Sequence, residues 1–299
     1  MDTHWILILS ERLRQSREEG CPSSFFAQNP KSQKFIFDFH SPHSKILSEV
    51  TNMRREITLT TKDNRVITCL DGCLPGQKAV ILCFHGLAGD KNSSVISRLS
   101  QVMEEEGIGT FTFDWPAHGE SREPSRSFTT EICLEYIETA VAYLKERCGS
   151  IPLYCFATSF GGYMAVLYHL DHPDTFDKIF LRSPALNIAN TVTGFMNENQ
   201  IRSFLAGTAL DFGFEKPLLL TKAFYEDVRN HDAFSRAPQY PEKIFIMHGK
   251  LDDVVPVEDS KAYSEKNGIG LYILEGADHR YKNPGDLDMI MEQARKWFA

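Results

Sequence analysis

Two hydrophobic rhythms divide this chain. Around residues 55–70, in "REITLTTKDNRVITCL", apolar and polar residues alternate with a period of two, broken at Lys62-Asp63-Asn64. Alternation of that kind on both sides of an Asp-Asn turn predicts an antiparallel hairpin. From residue 78 the rhythm changes. "KAVILCFHG" is a continuous apolar run, as expected for a strand buried on both faces, "DKIFLRSPA" and "EKIFIMHG" read as two more buried strands, and "GIGTFTFDW", "IPLYCFA" and "GLYILEGADH" as further strands. Between them apolar residues return at helical spacing. Val95, Ile96, Leu99, Val102 and Met103 predict a helix from Ser93 or Ser94, closed by Gly107. Ile137, Ala140, Val141 and Leu144 predict a second, starting near Thr129 or Thr130 with Glu131 in its first turn. A third should run from the serine of "ATSFGG" to about Leu170, since Pro173 prevents its continuation. The last carries Leu287, Ile290, Met291, Ala294, Trp297 and Phe298 on one face.

Strand and helix therefore alternate to the C-terminus, which predicts an α/β fold with a mostly parallel central sheet and helices on both faces. Residues 186–236 interrupt the alternation with helical pieces and no strand pattern, and read as a small helical cap inserted late in the sheet. The core is then 34–185 together with 237–299, and opens with a further alternating stretch, "KFIFDF". Residues 1–33 form a charged, partly amphipathic extension with a helix expected from Trp5 to Glu19.

Composition narrows the partners. With 32 basic and 40 acidic residues the formal charge is −8, which disfavours nucleic-acid phosphates as partners. The seven cysteines are odd in number, irregularly spaced and form no CxxC pair, and several lie inside apolar runs. A reducing compartment fits them better than a disulfide framework. The apolar stretch Trp5 to Leu9 is too short for a signal h-region or a membrane span, so a cytoplasmic protein is the default expectation. Oligomeric state stays open, a homodimer included.

Ligands of parallel α/β sheets bind outside the carboxyl ends of the strands. The predicted strands deliver there His85-Gly86-Leu87, Asp114-Trp115, Ser159, Ser183-Pro184, Gly249 to Asp253, and His279. A serine hydroxyl is a poor nucleophile unless an adjacent base takes its proton. Ser159 sits in A-T-S-F-G, close to the G-x-S-x-G pattern of a strained strand-to-helix turn, with Ala157 in the first glycine position. Its alternative is a helix N-cap. His279 follows the last predicted strand and is the candidate base; a structural histidine is the alternative. His85 and His248 each precede a glycine at a strand end and read as turn-orienting residues. The acid that accepts the imidazole Nδ1–H is Asp252 or Asp253, both in the loop after "KIFIMHG". Asp114 reads as structural, organising the loop before Gly119 and Ser121. An oxyanion site needs two preorganised N–H donors: the amide of Phe160, next to the serine, and that of Leu87, in the loop after "VILCFHG".

"CFHGLAGDKNS", "FDWPAHGES", "ATSFGG", "HGKLDDVVPVEDS" and "GADH" resemble, in order, the oxyanion loop, post-strand loop, nucleophile elbow, acid loop and histidine loop of α/β-hydrolases, over about residues 55–299. Within that superfamily the loops and the late cap are similar to bacterial cinnamoyl/feruloyl-type esterases. In the family's HG-x-x-D-x-x-V-P loop, counting from His248 places the acid at Asp252. The resemblance implies a serine carboxylesterase working on a small-molecule ester through an acyl-enzyme, with no metal or organic cofactor. A thioesterase, acyltransferase or aminopeptidase could use the same three residues, with Glu198, Asp211, Glu215 and Glu226 available to hold a substrate ammonium. A non-catalytic binding protein of the same fold would be expected to lack one of them.

Overall fold

In the computed structural model, which describes residues 54–213 and 217–299, the alternating rhythm becomes a hairpin and the apolar runs become a parallel sheet. Strands β1 (Arg55–Thr60) and β2 (Val66–Asp71) pair antiparallel, Leu59 opposite Ile67, across the predicted turn. Asn64, in that turn, takes φ 62°, a conformation asparagine tolerates better than most residues. The expected helix Trp5–Glu19, the "KFIFDF" stretch and Cys21 lie outside the described residues.

Strands β3 (Ala79–Phe84), β4 (Ile108–Phe113), β5 (Leu153–Thr158), β6 (Lys178–Arg182), β9 (Ile244–Gly249) and β10 (Gly270–Leu274) run parallel. The order across the sheet is β1-β2-β4-β3-β5-β6-β9-β10, with the hairpin as an antiparallel edge. The mostly parallel α/β architecture is as predicted.

Both faces of the sheet are covered, and the apolar runs divide between them residue by residue. Ala79, Ile81 and Cys83 of β3 join one core with α1 (Ser94–Glu105) and α8 (Asp286–Phe298). Val80, Leu82 and Phe84 join the other with α2 (Thr130–Cys148) and α3 (Phe160–Asp171). This is why those runs show no polar alternation: every position of β3 is buried. Thr129 caps α2, accepting the Ile132 N–H at 3.3 Å.

Between β6 and β9 lie α4 (Ile188–Gly194), α5 (Glu198–Leu205), strands β7 (Leu210–Asp211) and β8 (Leu219–Leu220), and α6 (Lys222–Asn230). The small β7–β8 ladder departs from the expectation of helical pieces alone. Two-residue strands are too short to register a period of two. The segment packs on the core through Phe224, whose ring stacks on Phe128 at 4.9 Å, and through Asp227, which accepts the Thr130 N–H at 2.7 Å. Helix α7 (Val257–Asn267) joins β9 to β10. Among the described residues, no helix is long and apolar enough to cross a membrane. The described cysteines are free thiols; all are buried except Cys148, which is half-buried.

Candidate active site

The strand ends of β3, β5, β6, β9 and β10 set the site. Ser159, between β5 and α3, has φ 51° and ψ −116°, outside the regions ordinary residues adopt, and its side chain makes no N-cap bond to α3. Such a conformation costs on the order of 1–3 kcal/mol and persists only where the surroundings over-determine it. Here they do. The Ser159 N–H donates to the Arg182 carbonyl at 3.0 Å, and its own carbonyl accepts from Gly162, Tyr163 and Ala185 at 2.9, 3.2 and 3.0 Å. Position 161 must be glycine because a Cβ there would lie 2.7 Å from both the Phe84 and His85 carbonyl oxygens. Ala157 is fully buried.

His279 Nε2 lies 3.1 Å from Ser159 Oγ, and His279 Nδ1 lies 2.7 Å from Asp252 Oδ2. The histidine side chain is 13% exposed and the aspartate 0%. The first can be reached and the second is sealed. Asp252 Oδ1 accepts the Val254 and Val255 N–H groups at 2.9 and 2.7 Å, which fixes the plane of the carboxylate. Burial alone would raise the Asp252 pKa. Hydrogen bonds from His248 and His279, with the Val255 N–H, overcome it and hold the carboxyl well below the usual carboxylate range. Asp253 is exposed, and Asp278 faces away to Lys282 Nζ at 2.9 Å and the Arg280 N–H at 3.1 Å.

Phe160 opens α3, so its N–H has no carbonyl a turn back within the helix. The loop carrying Leu87 passes close to the serine: a Cβ on Gly86 would meet Ser159 Cβ at 3.2 Å. Asp114 organises its loop as expected, accepting the Lys91 and Glu120 N–H groups at 2.7 and 3.0 Å. Lys91, 1% exposed, also pairs with Glu120 at 2.8 Å.

His248 does more than orient a turn. It is fully buried, with Nε2 3.1 Å from Asp252 Oδ2 and Nδ1 2.8 Å from Ser260 Oγ. A carboxylate only accepts, so Nε2 carries the proton and the Ser260 hydroxyl donates to Nδ1. Asp252 thus receives N–H donors from two histidines. Arg182 is a residue that sequence reasoning passed over. Its place at a strand end, directly before Ser183-Pro184, was the one available signal.

The fold has counterparts among solved structures. A protein described as a putative hydrolase, from Agrobacterium vitis, is 21% identical, with a TM-score of 0.70 over 82% of this chain and 98% of that one. Est1E from Butyrivibrio proteoclasticus, solved with ferulic acid bound, is 20% identical, with a TM-score of 0.70 over 80% and 96%. The fold of this protein is that of the α/β-hydrolases. Mouse alpha/beta hydrolase domain-containing protein 10 is a further likeness, 13% identical, with a TM-score of 0.67 over 81% and 97%. The family described as serine aminopeptidase, S33, matches residues 75–211. That stretch includes Leu87, Ser159 and Phe160 and stops short of Asp252 and His279. No curated protein matches the chain.

Proposed function

We propose that this α/β-hydrolase cleaves carboxylic esters through an acyl-enzyme, with Ser159 as nucleophile, His279 as base and Asp252 as the acid that orients it. The reading rests on one observation: a continuous hydrogen-bonded line from Ser159 Oγ through both nitrogens of His279 to Asp252. Ser159 Oγ attacks the ester carbonyl carbon as His279 Nε2 takes the hydroxyl proton. Asp252 accepts Nδ1–H and stabilises the imidazolium. The Leu87 and Phe160 N–H groups hold the oxyanion of the tetrahedral intermediate. Collapse breaks the carbonyl carbon–alkoxide bond, and His279 returns its proton to the leaving alcohol. Water, deprotonated by His279, then attacks the acyl-serine; the acyl carbon–Oγ bond breaks, His279 returns the proton to Ser159 Oγ, and the acid leaves. Segment 186–236 serves as the cap over this site, and the ferulic acid bound to Est1E supports an aromatic acyl group.

The S33 family description favours a second reading, an aminopeptidase. Two acids considered for holding its substrate ammonium are engaged elsewhere. Asp211 Oδ1 accepts the Gly213 and Leu218 N–H groups, both at 2.9 Å, and Glu226 pairs with Lys222 at 3.5 Å. Glu215 lies outside the described residues. The deciding experiment is a panel of p-nitrophenyl esters, hydroxycinnamate esters, acyl thioesters and aminoacyl amides, run with the wild type and Ser159→Ala. Ester turnover that vanishes in a folded S159A protein is the expected result. Preference for aminoacyl amides would transfer the assignment to the second reading.

A further inference from the structure

We infer that Arg182 is a positioning residue that locks the nucleophile and the base into one geometry; the inference rests on the triad proposed above. Arg182 ends β6, the strand between the one that delivers Ser159 and the one that leads to Asp252. In register it lies opposite Thr158 on β5 and Met247 on β9. Its main chain and side chain hold different partners. The Arg182 carbonyl accepts the Ser159 N–H at 3.0 Å, on the strained residue itself. The guanidinium Nη2 donates to the His279 carbonyl at 2.7 Å and the group stacks over the Tyr281 ring, 4.4 Å from its centroid. The next residue repeats the pattern. The Ser183 N–H donates to the Met247 carbonyl at 2.8 Å, and Ser183 Oγ lies 3.2 Å from Tyr281 OH.

The choice of arginine needs a reason, because burying a cation is expensive unless it is paired. Arg182 is only 8% exposed, and Nε finds no hydrogen-bond partner among the described residues. Burial opposes its charge and lowers its pKa, an effect that Tyr281 and the carboxylates of Asp252 and Asp278 offset only in part. A hydrocarbon side chain would fill the same volume without that cost. What only the planar cation supplies is a charge-assisted bond to the His279 main chain together with a flat face for Tyr281. Tyr281 sits at φ 55°, so the histidine loop is itself held in a conformation it would leave if released. Hydrogen bonds from the imidazole ring alone do not fix the backbone that carries it.

The test uses the full-length chain and a reagent that reports serine activation without knowledge of the substrate. The rate of covalent labelling by a fluorophosphonate is measured for wild type, Arg182→Met and Arg182→Lys, with thermal melting of each. The R182M protein should melt cooperatively yet label roughly 10- to 100-fold more slowly, as expected for a misplaced catalytic group. R182K, which keeps a cation and a donor but no planar face, should fall between the two. With p-nitrophenyl acetate the loss should appear in kcat with KM unchanged, a split that a general loosening of the fold would not produce. A folded R182M protein that labels at the wild-type rate overturns the inference. If R182M fails to fold, an R182K rate equal to wild type overturns it. Absence of labelling in the wild type would instead sink the triad reading, and the inference with it.

Discussion

Two adjacent aspartates, Asp252 and Asp253, show how finely single residues are sorted in this molecule. The pair is chemically identical, but one carboxylate is sealed behind His279 and accepts four N–H donors, while the other is exposed. Asp252→Asn should therefore lower ester turnover on the order of 10³- to 10⁴-fold, because an amide cannot hold the imidazole in the required tautomer. Asp253→Asn should stay near wild type. Initial rates of the two variants against one p-nitrophenyl ester make the comparison, and similar losses in both would contradict the assignment of the acid. His248 belongs to the same scale. Spacing from Gly249 suggested a turn residue, and the contact with Asp252 depends on a loop that folds back by four positions.

At the scale of elements, the strand-to-helix turn between β5 and α3 carries the strain of the site. Gly161 makes that turn possible by letting two backbone carbonyls, of Phe84 and His85, come within 2.7 Å of where a Cβ would sit. Gly161→Ala should cost about 1–3 kcal/mol by overpacking, read as a lower urea midpoint, and should slow fluorophosphonate labelling as Ser159 shifts. An unchanged midpoint would mean that the turn relaxes more easily than its contacts suggest. The longer elements were legible from the chain itself: β3 through β6, β9 and β10 as apolar runs, α1, α2 and α8 by apolar residues at helical spacing, and α3 by the turn that opens it and the proline beyond its end. The β7–β8 ladder was not, since strands of two residues have no period to read. Ser93 illustrates a softer limit. It precedes α1 as expected, yet makes no side-chain cap bond.

For the whole molecule, the depressed carboxyl groups govern its response to acid. Asp252 is held low against burial by His248 and His279, and Asp71 is held low against burial by the Cys73 N–H, Tyr143 and Arg147. A group whose folded pKa lies below its unfolded value adds stability that is complete above the unfolded pKa, about 3.9 for aspartate, and lost as pH falls towards the folded one. The melting temperature should accordingly hold steady from neutral pH to about pH 5, then drop steeply below about pH 4. A flat melting profile down to about pH 3 would contradict these linkages.

The sequence alone determined the α/β architecture, the order of the strands along the chain and the short set of polar residues at strand ends. Those features are written locally, in periods of two and 3.6 and in the residues that end each run. Tertiary structure decided which of those residues meet. Ser159 and His279 stand 120 positions apart and come within hydrogen-bond distance only because β5, β6, β9 and β10 are neighbours in the sheet. The parts played by His248 and Arg182 emerge at the same level. Each acts through side-chain direction at a strand end, which is set by the packing of several loops against one another and leaves no trace in any one segment.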